Sequence, residues 1–251
     1  MSLDGKVCII TGGGSGIGRS TAIMMAKAGA KVILVGRTAS KVEDLQKEIE
    51  SSGGTATAAS FDVADKEAGL QLVKDVLAEF GQVDMLINNA GHSSQHRMLL
   101  STTPEELRSV MDSNLTGTVY MSQAVMPNMQ ERGEGTIINV SSLAGVNPGL
   151  LAGMAYGAAK AAVINFTSFL NAEFKNTGLR ASVVIPGEVD TPILNGRPFN
   201  PSRESRDTMV TSEDTAEAIM LIASLPQRAC IPELIIRPTY MRDVSAEVGI
   251  L

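Results

Sequence analysis

Short apolar runs punctuate the chain at intervals that leave room for a helix between most of them. Val7-Cys8-Ile9-Ile10 and Lys31-Val32-Ile33-Leu34-Val35 read as strands, the first buried on both faces. Thr55 to Ser60 is a weaker third strand, and Val83-Asp84-Met85-Leu86-Ile87 a buried fourth. Gly135 to Val140 and Arg180 to Ile185 follow, and Cys230 to Pro238 reads as the last strand. Helical spacing fills the gaps. A helix runs from the glycine turn after the first strand to a stop at Gly29. Val42, Leu45 and Ile49 share one face of a second, which ends at Gly53-Gly54, and Leu70, Val73, Leu77 and Phe80 mark a third. A long helix over 104–131 is capped near Thr103, with Pro104 at its first position and Glu105-Glu106 in its first turn. Another spans 154–177, and a further one carries Ala216, Ile219 and Met220 behind the cap Ser212-Glu213-Asp214.

Length and composition narrow what this pattern can be. The 251 residues fit one large α/β domain or two small ones, and 44% apolar against 19% charged residues suits a sizeable core. No linker, repeat or low-complexity segment divides the chain. A net charge of −6 without any basic run argues against nucleic acid as a partner. No apolar stretch reaches bilayer-spanning length, and the first residues do not form a signal peptide, so no membrane association is expected. Cys8 and Cys230 have no metal or redox spacing. They are expected to be two reduced, buried thiols of a cytoplasmic protein.

Candidate chemistry begins where the first strand ends. Thr11-Gly12-Gly13-Gly14-Ser15-Gly16-Ile17-Gly18 joins that strand to a helix. Strand, glycine turn and helix aim a helix N-terminus at a phosphate, and the glycines let backbone N–H groups approach a pyrophosphate. The spacing Gly12-x-x-x-Gly16-x-Gly18 differs from the G-x-G-x-x-G fingerprint. At the end of the second strand, a carboxylate would bind ribose hydroxyls and an arginine a 2′-phosphate. Gly36 stands where the carboxylate is expected and Arg37 follows, which favours NADP over NAD. Asp62, followed by Val63, either accepts a bond from the adenine amino group or caps the next helix, for which Asp65 is the better candidate. Asn88-Asn89-Ala90-Gly91 follows the fourth strand, with small residues that let a cofactor lie against backbone. Asn114 sits mid-helix, an unfavourable place that invites a functional reason. Ser141-Ser142 ends the fifth strand. Tyr156 and Lys160 are one helical turn apart on one face, and an ammonium beside a phenol favours the phenolate.

Together and in order, Thr11-Gly12-x-x-x-Gly16-x-Gly18, Asn88-Asn89-Ala90-Gly91, Asn114, Ser142, Tyr156-x-x-x-Lys160 and Pro186-Gly187 resemble the short-chain dehydrogenase/reductase family over nearly the whole chain. The resemblance implies a single doubly wound, Rossmann-type α/β domain with a seven-stranded parallel sheet. It implies hydride transfer between a nicotinamide and a carbonyl or alcohol carbon. By family role, Tyr156 is the general acid/base, and Lys160 binds the ribose and lowers the Tyr156 pKa. Ser142 holds the substrate oxygen, and Asn114 holds a water in a proton relay. The cofactor set implied is Gly12, Ser15, Gly16, Ile17, Gly18, Arg37, Asp62, Val63, Asn88, Ala90, Gly91, Tyr156, Lys160, Pro186, Gly187, Val189 and Thr191. Asn88 and Thr191 would touch the nicotinamide side. Ser142 is preferred to Ser141 because Leu143-Ala144-Gly145 follows it. The gap from Ser142 to Tyr156 is fourteen residues; many relatives have thirteen, which places an extra residue in a pocket-lining loop over 146–155.

The last third selects the substrate. The polar, turn-rich segment over about 191–212 corresponds to a lid in the family, and its Arg197, Arg203 and Arg206 hint at an acidic or acyl-carrier substrate. Leu150, Leu151 and Met154 point to a partly apolar pocket; His92 either edges that pocket or lies at the surface. Pro238-Thr239 replaces the Gly-Gly-rich ending of fatty-acyl β-ketone reducers, closer to the branch acting on 3-hydroxy acids and general carbonyls. The expected activity is an NADP-dependent interconversion of a secondary alcohol and a ketone, a 3-hydroxy acid or 3-oxoacyl compound among them. An NAD-dependent dehydrogenase and a non-catalytic dinucleotide sensor stand as alternatives. Epimerase or dehydratase chemistry would ask for an acidic residue in the site, and the sequence places none. By resemblance, the helices at 104–131 and 154–177 form the faces of a homodimer or homotetramer.

Overall fold

The computed structural model describes residues 2–248. Seven strands alternate with helices: β1 (Val7–Thr11), α1 (Gly16–Lys27), β2 (Lys31–Gly36), α2 (Ala39–Ser51), β3 (Thr55–Ser60), α3 (Lys66–Phe80) and β4 (Met85–Asn88) form the first half. The second half holds α4 (Pro104–Met111), α5 (Gly117–Arg132), β5 (Gly135–Val140), α6 (Met154–Glu173), β6 (Leu179–Pro186), α7 (Arg203–Arg206), α8 (Ser212–Ala223), β7 (Glu233–Ile236) and α9 (Ser245–Val248). All pairings are parallel, in the order β3-β2-β1-β4-β5-β6-β7. This is a Rossmann-type, doubly wound domain, as the strand and helix pattern with its family resemblance implied.

Strand periodicity sorts the core into two layers. Cys8, Ile10, Val32, Leu34, Ile87 and Ile138 face one side, where Met25 of α1, Leu45 of α2 and Ile219 of α8 cover them. Val7, Ile9, Ile33, Leu86 and Ile137 face the other, against Val73 of α3, Met121 and Val125 of α5, and Leu170 of α6. At the amino end of the sheet, Asp84 locks β4 to β1. Its carboxylate accepts the Val7 N–H at 2.8 Å and pairs with Arg132 at 2.7 Å and Lys6 at 3.3 Å.

Element boundaries differ from the sequence pattern where local chemistry intervenes. Pro232 and Pro238 flank β7, and a proline cannot donate to the ladder, so the strand covers only four of the residues in that run. The helix expected over 154–177 stops at Glu173, ahead of the left-handed turn at Asn176 and Gly178. Thr211, not Ser212, caps α8, in a reciprocal box with Asp214. The helix expected over 104–131 is interrupted: a π-turn over Asp112–Thr116 separates α4 from α5. Inside it the Asn114 amide donates to the Val110 carbonyl at 2.8 Å, one turn back. Asp65 caps α3, accepting from Ala68 N–H. Cys8 is buried as expected, whereas Cys230 is exposed, just before Pro232 and β7; both are free thiols.

Candidate active site

Strand order reverses at β1. The chain runs outward through β2 and β3, then crosses back to β4 on the other side of β1, and the crevice opens at the carboxyl ends of these strands. Thr11 closes its floor: the hydroxyl donates to Ile87 O and accepts the N–H groups of Asn89 and Ala90, each at 3.0 Å. Above it lies a cleft of about 510 Å³.

At one end, Gly12, Ser15, Gly16 and Ile17 line the cleft. Gly12 has φ +66°, and a Cβ on Gly18 would lie 2.3 Å from the Gly12 carbonyl oxygen, so the turn folds this tightly only with glycine at both places. Ser15 stands at the N-cap of α1 without making a side-chain capping bond, which leaves the first-turn N–H groups of a twelve-residue helix free to meet phosphate oxygens. These residues fit a dinucleotide pyrophosphate. Gly18 itself packs behind the turn rather than on the cleft. Arg37 and Asp62 lie outside it as an exposed pair 3.7 Å apart, and Val63 is buried against Gly117, supporting the start of α5.

The middle of the cleft holds Asn89, Ala90, Gly91 and Asn114. Asn89 Nδ2 donates to Thr11 O at 3.0 Å. Asn88, expected at the nicotinamide, is instead inside the protein: its amide donates to Asn139 Oδ1 at 2.9 Å and to Ser122 Oγ at 3.1 Å. It is the last residue of β4 and shares Leu86's face of the sheet, towards α5; the residue that turns to the cleft is Asn89. Asn114 Nδ2 also donates to His92 O at 2.8 Å, while its buried Oδ1 has no protein partner among the described residues. His92 is half-buried, with Nε2 3.1 Å from Ser109 Oγ, and does not reach the cleft.

Ser142, Tyr156 and Lys160 form the next section of wall. Both serines border the cleft, but Ser141 is buried and donates to the Lys160 carbonyl at 2.7 Å, pinning β5 to α6, whereas Ser142 is half-buried and bonds the Tyr156 hydroxyl. Burial pushes the Tyr156 phenol up from its ordinary value, opposed by the Ser142 hydroxyl and by the guanidinium groups of Arg197 and Arg97. Lys160 Nζ lies 5.6 Å from the Tyr156 ring centre and donates to Val140 O at 2.9 Å. Burial pulls its pKa down to about 8.

Pro186, Gly187, Val189 and Thr191 form the far wall. Over it lie Pro192, Ile193, Leu194 and Arg197, part of the segment expected to cover the substrate; Asn147, Gly149 and Leu151 of the loop before α6 face the same space. Leu150 and Met154 are largely exposed. Of the three arginines noted in the sequence, only Arg197 lines the cleft; Arg206 pairs with Asp190 at 2.6 Å outside it.

Three charged residues join the site without having been singled out. Glu188 supplies the acidic group that sequence reading did not place. Burial pushes its carboxyl up, but bonds from Arg242 and Arg197 outweigh this and hold it below the usual range. Arg242 binds Glu188 at 2.7 and 2.9 Å and also pairs with Glu247. Arg97 is 4% exposed and comes from the loop after Gly91. The charge next to the Pro186-Gly187 motif marks Glu188 in the sequence, whereas Arg97 and Arg242 sit in ordinary polar stretches that carry no such signal. Among the described residues no cluster of His, Cys, Asp and Glu suits a metal ion, and no helix is long and apolar enough to cross a membrane.

Comparison with known proteins agrees with this geometry. An uncharacterised oxidoreductase of Staphylococcus aureus (strain USA300) is 33% identical over 236 residues, 94% of this chain and 98% of the relative. The closed form of serine dehydrogenase complexed with NADP+ superposes with a TM-score of 0.87 at 30% identity, covering 95% of this chain and 97% of that one. A metagenomic short-chain oxidoreductase in complex with NADP gives 0.83 at 30% identity, covering 96% and 100%. The sequence profile described as short chain dehydrogenase matches residues 6–200, and with the glycine turn, Ser142, Tyr156 and Lys160 gathered on one cleft, the chain belongs to the short-chain dehydrogenase/reductase family of NAD(P)-dependent oxidoreductases.

Proposed function

We propose that the protein is an NADP-dependent oxidoreductase that interconverts a secondary alcohol and a ketone, with Tyr156 as general acid/base. One observation carries this: Ser142 and Tyr156 share a continuous cleft with the glycine turn and the open N-terminus of α1. Gly12, Ser15, Gly16 and Ile17 would hold the pyrophosphate, and Ala90, Gly91, Pro186, Gly187, Val189 and Thr191 the nicotinamide half. When bound, the dinucleotide supplies or accepts the hydride. Ser142 and the Tyr156 hydroxyl donate to the carbonyl oxygen and stabilise the negative charge that grows there. Tyr156 then gives up its proton to that oxygen, and takes it back in the oxidative direction. Lys160 binds the ribose, and the unpartnered Asn114 Oδ1 holds the water through which the proton is restored. The segment over 191–212 covers the substrate.

Arg37 supports NADP through its exposed guanidinium at the end of β2, and the NADP-bound serine dehydrogenase and metagenomic oxidoreductase support it by likeness. An NAD-dependent reading has one observation in its favour, the Asp62 carboxylate beside Arg37. The free thiols fit a cytoplasmic location, and α5 and α6 are the faces through which a homodimer or homotetramer would assemble.

The test is to follow NADPH and NADH absorbance with a panel of ketones. Tyr156→Phe is expected to lose nearly all turnover, ~10³-fold or more, while binding NADPH with near-normal affinity by fluorescence titration. Near-normal turnover in the variant overturns the role of Tyr156, and equal efficiency with NADH overturns the cofactor preference.

A further inference from the structure

The charges on the substrate side of the cleft do not cancel. Arg197 bonds Glu188 at 2.9 Å and lies 4.0 Å from Glu247. Arg242 pairs with the same two carboxylates. Two cations and two anions thus form a closed set. Arg97 is left over. It lines the same cleft, it is buried, and among the described residues no carboxylate lies within ion-pair distance of it.

Arg97 is also fixed in place. Its Nε donates to Ser94 O at 3.2 Å and one terminal nitrogen donates to Leu151 O. Its own carbonyl accepts from Met154 N–H at 2.9 Å, which ties it to the first residue of α6, two positions before Tyr156. A Cβ on Gly153 would lie 2.9 Å from Arg97 Cβ, so the loop before α6 packs directly on this side chain. A guanidinium has five N–H donors, and these contacts use two.

Arg180 shows what a purely structural buried arginine looks like in this chain. It too lacks a carboxylate, but its guanidinium donates to Thr136 Oγ1 and to four backbone carbonyls, those of Ile222, Leu225, Pro226 and Ala229. Its donors are saturated. Those of Arg97 are not, and a desolvated cation with spare donors facing a cavity calls for an anionic partner.

We infer that Arg97 binds a carboxylate of the substrate, so that the molecule reduced or oxidised beside Tyr156 is an oxo acid or hydroxy acid. The inference rests on the oxidoreductase reading above and narrows it to a substrate class. A single uncompensated guanidinium matches one carboxylate charge, whereas a phosphate monoester would bring a second charge that the closed set cannot meet.

The experiment compares 2-, 3- and 4-oxo acids with their methyl esters, using the enzyme with NADPH. Wild type is expected to favour at least one acid over its ester by about 10- to 100-fold in kcat/KM, the range for a hydrogen bond to a charged group. Arg97→Gln is expected to bring that ratio close to one, with the acid losing about 10- to 100-fold in kcat/KM and the ester much less, and Arg97→Lys to restore part of the preference. Propionate, as a monocarboxylate probe that is not reduced, is expected to raise the melting temperature of the NADP-loaded wild type and not of Arg97→Gln; inorganic phosphate is expected to stabilise neither. Equal turnover of acids and esters by wild type overturns the inference. So does an equal loss on both in Arg97→Gln, which would make Arg97 a tie between loops. If no carbonyl is reduced with either cofactor, it is the oxidoreductase reading that fails, and the propionate shift alone then decides whether Arg97 holds a carboxylate.

Discussion

Neighbouring residues in this site have opposite tasks. Ser141 and Ser142, like Asn88 and Asn89, are identical in type and one position apart, yet in each pair the first is buried and ties the interior together while the second is half-buried at the cleft. Lys160 does both at once, and the cost shows in its ionisation. Its folded value near 8 lies below the ordinary 10.5, because burial disfavours the ammonium. Between those two values the unfolded chain holds more protons than the folded one, so this residue's contribution to stability rises with pH across the window. Urea unfolding of the apoprotein is therefore expected to show wild type gaining on Lys160→Met from about pH 8 to about pH 10.5, and a pH-independent difference would show that the ammonium is not desolvated. The Ser142 choice was legible in the sequence because a motif follows it. Asn89 was legible too, had strand alternation been carried to the end of β4: Asn88 is in phase with Leu86, which faces α5. Arg97 was not, since nothing local distinguishes it from any other loop arginine.

At the scale of elements, the π-turn is what brings Asn114 to the cleft. A regular helix through 104–132 would keep its carbonyls engaged and carry this side chain past the site; the widened turn lets the amide bond both Val110 O and His92 O with Oδ1 turned towards Gly91. The fit is close enough to test. A Cβ on Gly91 would stand 2.3 Å from Asn114 Oδ1 and 3.5 Å from Lys160 Nζ. Gly91→Ala is expected to lower kcat by about 100-fold, the scale of an ångström-sized misplacement, with a circular dichroism spectrum near wild type and a melting temperature lower by a few degrees, the cost of overpacking against the buried Asn114. Unchanged kcat would detach the π-turn from the chemistry. The sequence flagged Asn114 as out of place in a helix, which is the signature this turn leaves. Its exact geometry stayed hidden because the carbonyl it serves, Val110, belongs to a backbone pattern that side-chain periodicity does not report.

Across the whole molecule, the parallel sheet was readable from its apolar runs, and the crevice followed from the glycine turn and the family resemblance. The electrostatics were not readable, because the cleft draws its charges from distant segments: Arg97 from the loop after β4, Glu188 from the end of β6, Arg197 from the covering segment and Arg242 from beyond β7. Assembly belongs to this scale as well. Phe169 on α6 is 56% exposed, a large aromatic side chain on one of the two helices proposed to pair. Phe169→Asp is expected to shift light-scattering mass from a dimer or tetramer towards the monomer, and an unchanged mass would move the contact away from α6.

Because Gly12 and Arg242 border the same cavity from opposite ends of the described chain, vectorial synthesis delivers its two rims far apart in time. A nascent polypeptide exposes the glycine turn early and acquires Arg242 only after every strand has left the ribosome. Such a chain completes the substrate side of its cleft last of all.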